Sequence, residues 1–116
     1  MENQRVQAAY QTVKAAVFGH AVGDALGVPV EFVGRERLAA RPVTDMLAFG
    51  MHNLPRGAWS DDTSMALCTL ASLTERNAVV PEDMMLRFSR WANDGAYTPF
   101  GKAFGIGRTT FRAIAD

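Results

Sequence analysis

The sequence predicts an all-α fold. Apolar residues recur at intervals of three and four along the first segment, Ser60 and Pro81 stand where helices start, and Asn93-Asp94-Gly95 stands where one stops. The run Met65-Ala66-Leu67-Cys68-Thr69-Leu70-Ala71-Ser72-Leu73 is apolar nearly all round and reads as a central helix. A chain of 116 residues holds one domain at most, and no repeat, low-complexity tract or linker divides residues 1–116.

The first helix is marked by Val6, Tyr10, Val13, Val17 and Ala21 and runs towards residue 27. Asp24 falls seven residues after Val17, roughly 20° from the same apolar stripe at 3.6 residues per turn. A carboxylate there needs a reason. Gly19, Gly23 and Gly27 recur every four residues, each costing roughly 1 kcal/mol against alanine inside a helix. They imply either close backbone approach or an ending helix. Pro29 then stops the helix, leaving Glu31 among apolar neighbours in a loop or short extended piece. From Gly34 to Trp59 the sequence predicts a long connection, punctuated by Pro42, Gly50, Pro55 and Gly57, of the length of a functional loop or flap.

The second helix is predicted to start at Ser60, a good N-cap residue, and to reach about Thr74. The third opens at Pro81 with Glu82 and Asp83 in its first turn and buries a stripe of Met84, Phe88 and Trp91. Between Gly95 and Gly107 stand four glycines and three aromatics, the composition of a mobile loop with rings to lay on a ligand. A last helix begins at Arg108 and runs through Phe111 and Ile114. It stops without a glycine cap, with Asp116 at the negative end of its dipole where cations are preferred. That ending is the expectation of a chain cut short inside a larger domain.

Composition narrows the function. Twelve basic and twelve acidic residues balance, so no global charge footprint draws nucleic acid or an anionic membrane. The start lacks an apolar signal core and no stretch approaches the ~18 apolar residues of a membrane span, which predicts a soluble cytoplasmic protein. A single cysteine, Cys68, excludes an internal disulfide and a thiolate zinc site and reads as a small core residue.

The chemistry concentrates in Ser60-Asp61-Asp62-Thr63, where two adjacent carboxylates open an apolar helix. At ~6 Å they repel by roughly 0.7 kcal/mol in water but by roughly 3 kcal/mol at an effective dielectric near 20. A helix N-terminus returns only about 0.3–1 kcal/mol per carboxylate. Exposed, the pair needs only a helix end; recessed, which the apolar run favours, it needs a cation. With Asp24 and Glu31 it forms a carboxylate and hydroxyl set without Cys-His spacing, which favours magnesium, manganese or calcium over zinc. Met65 stands three positions on from Asp62, so the aspartate-rich diphosphate motif of prenyl transferases is not matched.

Two long motifs, Gly19-His20-Ala21-Val22-Gly23-Asp24-Ala25-Leu26-Gly27-Val28-Pro29-Val30-Glu31-Phe32 and Gly57-Ala58-Trp59-Ser60-Asp61-Asp62-Thr63-Ser64-Met65-Ala66-Leu67, closely resemble the ADP-ribosylglycohydrolase family. Tyr97-Thr98-Pro99 and Phe104-Gly105-Ile106-Gly107-Arg108-Thr109-Thr110 look like the next block of that family. The resemblance spans essentially the whole chain but only the N-terminal part of a family domain.

It implies an orthogonal all-α fold, two magnesium or manganese ions in a complete site, and hydrolytic removal of ADP-ribose from a protein side chain or a small conjugate. On matching positions, Ser60, Asp61 and Asp62 look like the first half of the metal-ligand set, with Ser60 in place of the more frequent threonine. Glu31 and Asp62 are the implied catalytic candidates. Glu31, Tyr97, Phe104, Gly105 and Gly107 are the implied substrate contacts, with Asp24 and His20 in support. Tyr97, Phe100 and Phe104 are open to two readings, stacking on a ligand or anchoring their loop; His52 is open to lining the cleft or facing solvent. Two departures stand out: the family's C-terminal Asp-x-Asp-Ser/Thr motif is absent, and Gly105 replaces a common aspartate. Two classes of function follow, a metal-dependent ADP-ribosyl hydrolase completed by a missing C-terminal half, or a non-catalytic module that binds a metal or a partner.

Overall fold

In the computed structural model, which describes residues 1–115, all regular structure is helical, and no strand is present among the described residues. The chain divides into two compact units, one from Met1 to Gly57 and one from Ala58 onward. Among the described residues, no helix is long and apolar enough to cross a membrane.

The first unit is dominated by α1, Glu2–Gly27, which passes into a 3-10 turn at Val28–Val30. Proline is tolerated there because the first turn of a helix asks nothing of its missing N–H. Glu31 therefore follows a helical turn rather than an extended piece, with φ −52° and ψ 138°. At Gly19, Gly23 and Gly27 an added Cβ would meet nothing within 4 Å among the described residues, and of these glycines Gly27 is the one at which the helix ends.

The apolar stripe of α1 is another correction. Val6, Tyr10 and Val13 are 63%, 57% and 55% exposed, and Ala25 is the buried residue of this helix. Periodicity reports which face favours burial, not whether the covering surface lies within these residues. The connection from Gly34 to Trp59 is also more ordered than composition suggests. It holds α2, Arg35–Ala40, a 3-10 turn at Gly50–His52 that packs against Val28–Val30, and a single antiparallel bridge between Phe49 and Leu54.

The second unit holds α3, Asp61–Arg76, packed on α4, Pro81–Asp94, with α5, Arg108–Ala115, against α4. Ser60 caps α3 by accepting the Asp62 N–H at 3.3 Å. Asn77, in the left-handed region, ends it two residues beyond the sequence expectation. The buried face of α3 is small and polar rather than apolar all round: Thr63, Ser64, Cys68 and Ser72, spaced by about a turn. Small residues admit α4 closely, and its Trp91 fills the core of this unit with no exposed surface.

The buried stripe of α4 is Asp83, Arg87 and Trp91, while Met84 and Phe88 are half-buried. Two charges replace the two expected apolar residues because they are mutually paired. Gly95 ends α4 at φ 71°, and a Cβ there would sit 2.1 Å from the Gly101 carbonyl oxygen. The loop after α4 thus folds back onto its own start, a path open only to glycine. The expected free end at Asp116 lies outside the described residues.

Candidate functional site

The two halves of the expected acid set lie in different units. In the first unit, Glu31 is held by His52, whose Nε2 is hydrogen-bonded to Glu31 Oε2. The packing of the Gly50–His52 turn on the Val28–Val30 turn brings the two together across 21 positions of sequence. His52 keeps 22% and Glu31 45% of side-chain surface open, so the pair faces solvent on one side. Phe32, immediately after Glu31, adopts φ 63°, an uncommon conformation for a bulky residue, which turns the chain sharply behind the carboxylate. Asp24 is half-buried and His20 exposed one turn before it on α1.

In the second unit, Ser60 is buried, Asp61 half-buried and Asp62 exposed. Both carboxylates stand in the first turn of α3, where the helix dipole is positive. Gly105 lies against Ser60 and Asp61: a Cβ on it would come 2.9 Å from Asp61 Oδ1 and 3.8 Å from Ser60 Cβ. Its φ of 76° is one that side-chain-bearing residues rarely adopt. The Phe104-Gly105 segment therefore passes close over Asp61, with Phe104 half-buried and Gly107 opening α5 by accepting the Phe111 N–H at 2.9 Å.

Tyr97 is an anchor of this unit. Its carbonyl accepts both the Ser64 hydroxyl at 2.9 Å and the Trp59 indole N–H at 3.2 Å, and its hydroxyl accepts from Arg87 Nη1 at 2.9 Å. Of the two readings left open for the loop aromatics, anchoring describes Tyr97, while Phe100 is exposed.

Arg87 was not singled out by the sequence, although Asp83 four residues before it is a helical charge pair. Its Nε donates to Asp83 Oδ2 at 2.7 Å and its Nη2 to Glu75 Oε2 at 2.7 Å. Arg76 closes the far side of Asp83, with Nη2 2.6 Å from Oδ1. Hydrogen bonds from Arg76 and then Arg87 hold the Asp83 carboxyl well below the usual carboxylate range, and Glu75 is lowered by Arg87. The same partners, Glu75 first, raise the Arg87 guanidinium further. Ser72 Oγ is buried without a hydrogen bond of good geometry, yet it too helps stabilise the Asp83 charge. Cys68 is fully buried; burial pushes its thiol up to about 11, against a smaller opposing pull from Arg87, so it is no nucleophile near neutral pH.

The donor type at the start of α3, two carboxylates and a hydroxyl, suits a hard divalent cation. The donor number does not close a coordination shell: among the described residues, no three His, Cys, Asp or Glu side chains form a group that could hold a metal ion.

Comparison with known proteins places these residues in context. The sequence model of the ADP-ribosylglycohydrolase family matches residues 5–116. An ADP-ribosylarginine hydrolase Tri1 of Serratia proteamaculans (strain 568) is 38% identical over 101 residues, 87% of this chain and 27% of that protein. The ADP-ribosylarginine hydrolase Tri1 of Pseudomonas putida (strain GB-1) is 35% identical over 106 residues, 91% of this chain and 28% of that protein. The uncharacterized protein YegU of Escherichia coli (strain K12) is 33% identical over 84 residues, 66% of this chain and 25% of that protein. The chain thus spans little more than a quarter of the length of these relatives.

Proposed function

The chain belongs to the ADP-ribosylglycohydrolase family, and from that premise we propose that it supplies the N-terminal part of a metal-dependent hydrolase that removes ADP-ribose from modified protein side chains. The names of the Serratia and Pseudomonas relatives favour arginine as the modified residue. The observation that carries the reading is the start of α3, where Ser60, Asp61 and Asp62 bring a hydroxyl and two carboxylates together, with Gly105 against Ser60 and Asp61. These residues would hold a magnesium or manganese ion, and the remaining ligands would come from the rest of the family domain.

When bound, a divalent cation supplies positive charge that orients hydroxyls and water for attack. Glu31 accepts a proton from the water that attacks the anomeric carbon. The new carbon–oxygen bond replaces the bond to the arginine nitrogen, and the proton is delivered to the departing guanidine. Acid–base help of this kind is worth roughly 10²–10⁴-fold. His52 fixes the carboxylate through its Oε2, and the water would be met by the other oxygen.

The test is a chimera in which this chain replaces the matching segment of the Serratia relative. It is assayed with magnesium for ADP-ribose release from an ADP-ribosylated arginine peptide. Release is expected, with a loss of at least about 100-fold in Glu31→Gln while ADP-ribose still binds. A folded chimera that binds ADP-ribose and magnesium but releases nothing defeats the hydrolase reading in favour of a non-catalytic binding module.

A further inference from the structure

The first turn of α3 is gripped from both sides by a single carbonyl oxygen. Trp59, one residue before Ser60, and Ser64, two residues after Asp62, both donate to the carbonyl of Tyr97, filling both of its lone pairs. That carbonyl can point at them because Tyr97 adopts φ 58°, a conformation that costs energy in a residue with a Cβ and persists only when its surroundings impose it. The other end of the same residue is held as well. The Tyr97 hydroxyl is held by Arg87 Nη1, and the planar fork of Arg87 is fixed by Asp83 at Nε and Glu75 at Nη2.

We propose that Arg87 and Tyr97 are positioning residues for the acid pair: the α3–α4 ion-pair cluster sets the Tyr97 backbone, which sets Trp59 and Ser64 and with them the orientation of Asp61 and Asp62. The loop that leaves this brace returns at Gly105 against Asp61 Oδ1, so Asp61 is approached from the loop as well as held in its helix. The cation-binding consequence rests on the functional reading given above, whereas the brace rests on the contacts alone.

The test uses the 116-residue chain and its Tyr97→Phe and Arg87→Met variants, with Arg90→Met on the exposed side of α4 as a control. Trp59 and Trp91 give two indole N–H resonances, distinguished by Trp59→Phe. In both test variants the Trp59 indole proton and the Asp61 and Asp62 amides are expected to shift, and indole exchange to quicken roughly tenfold. Amides at the Arg76 end of α3 should stay in place in Tyr97→Phe. Manganese, titrated alone and read by its broadening of the same amides, should bind several-fold more weakly to Tyr97→Phe than to the parent. Trp59, Asp61 and Asp62 signals that superimpose on the parent in Tyr97→Phe overturn the brace, and a shift of equal size in Arg90→Met does so as well. Parent chain that shows no manganese broadening defeats the cation reading instead, and the indole shift then decides the brace without it. If Arg87→Met unfolds, Tyr97→Phe, which loses only one hydroxyl, still decides.

Discussion

At the scale of single residues, Gly105 shows how a single missing side chain shapes the start of α3. Its φ of 76° and the 2.9 Å that would separate a Cβ from Asp61 Oδ1 make it a position where any side chain both strains the backbone and displaces a carboxylate. The obstructing atom is the far end of an aspartate, so the carboxylate rotates away and the fold survives. Gly105→Ala is therefore expected to destabilise the chain by roughly 1 kcal/mol through the backbone. The same change should weaken manganese binding at the acid pair, because the rotated carboxylate no longer stands where Gly105 left it. Chemical denaturation and a manganese titration on the same sample check both parts. Unchanged stability would show that the loop can shift and that Gly105 is not required by its conformation.

At the scale of elements, the contact between α3 and α4 is held by an unusual combination of one fully buried indole and one buried carboxylate shared by two arginines. Asp83 is held well below its ordinary value of 3.8 because its charged form accepts from both guanidiniums. A carboxyl lowered in the folded state contributes stability that is present above its unfolded pKa and lost as pH falls through its folded pKa. The urea midpoint of the chain is thus expected to hold steady from pH 7 to about 4.5 and to fall below pH 4, as the unfolded state takes up a proton that the folded state refuses. Asp83→Asn should lower the midpoint at neutral pH and flatten its acid limb; an acid limb of the parental slope in Asp83→Asn would remove Asp83 from the effect. This cluster also marks the limit of reading elements from sequence. Ser60, Pro81 and Gly95 were legible because capping and chain termination depend on neighbours in sequence, and the two long motifs disclosed the family and the acid pair. The burial of Arg87 was not legible, since a hydrophobic pattern assigns charges to the surface and the pairing that reverses this depends on Arg76, Glu75 and Tyr97 from other segments. Nor was the 63° φ of Phe32 or the 58° φ of Tyr97, since local preference disfavours both and Tyr97 is held by partners from other segments.

At the scale of the whole molecule, α1 carries apolar residues that the described residues of its own unit leave exposed. Val6, Tyr10 and Val13 are all more than half exposed, although their spacing is that of a core stripe. A periodic apolar face is selected against in water unless something covers it, and the relatives are almost four times as long as the segment they share with this chain. On the functional reading above, the rest of the family domain covers this face, which makes α1 the element through which the two parts cohere. Two consequences separate this from a face that is merely exposed. In the 116-residue chain, Val13→Glu should leave stability within about 0.5 kcal/mol of the parent, because an exposed side chain has little to lose. In the chimera with the Serratia relative, the same change buries a charge and should abolish soluble expression or lower the melting temperature sharply, whereas Lys14→Glu on the adjacent exposed position should not. Soluble yield and thermal melts of the two parents and their three variants check it. Equal tolerance of Val13→Glu in both settings would mean that the stripe faces solvent even in the longer protein, and that the remainder of the domain attaches elsewhere.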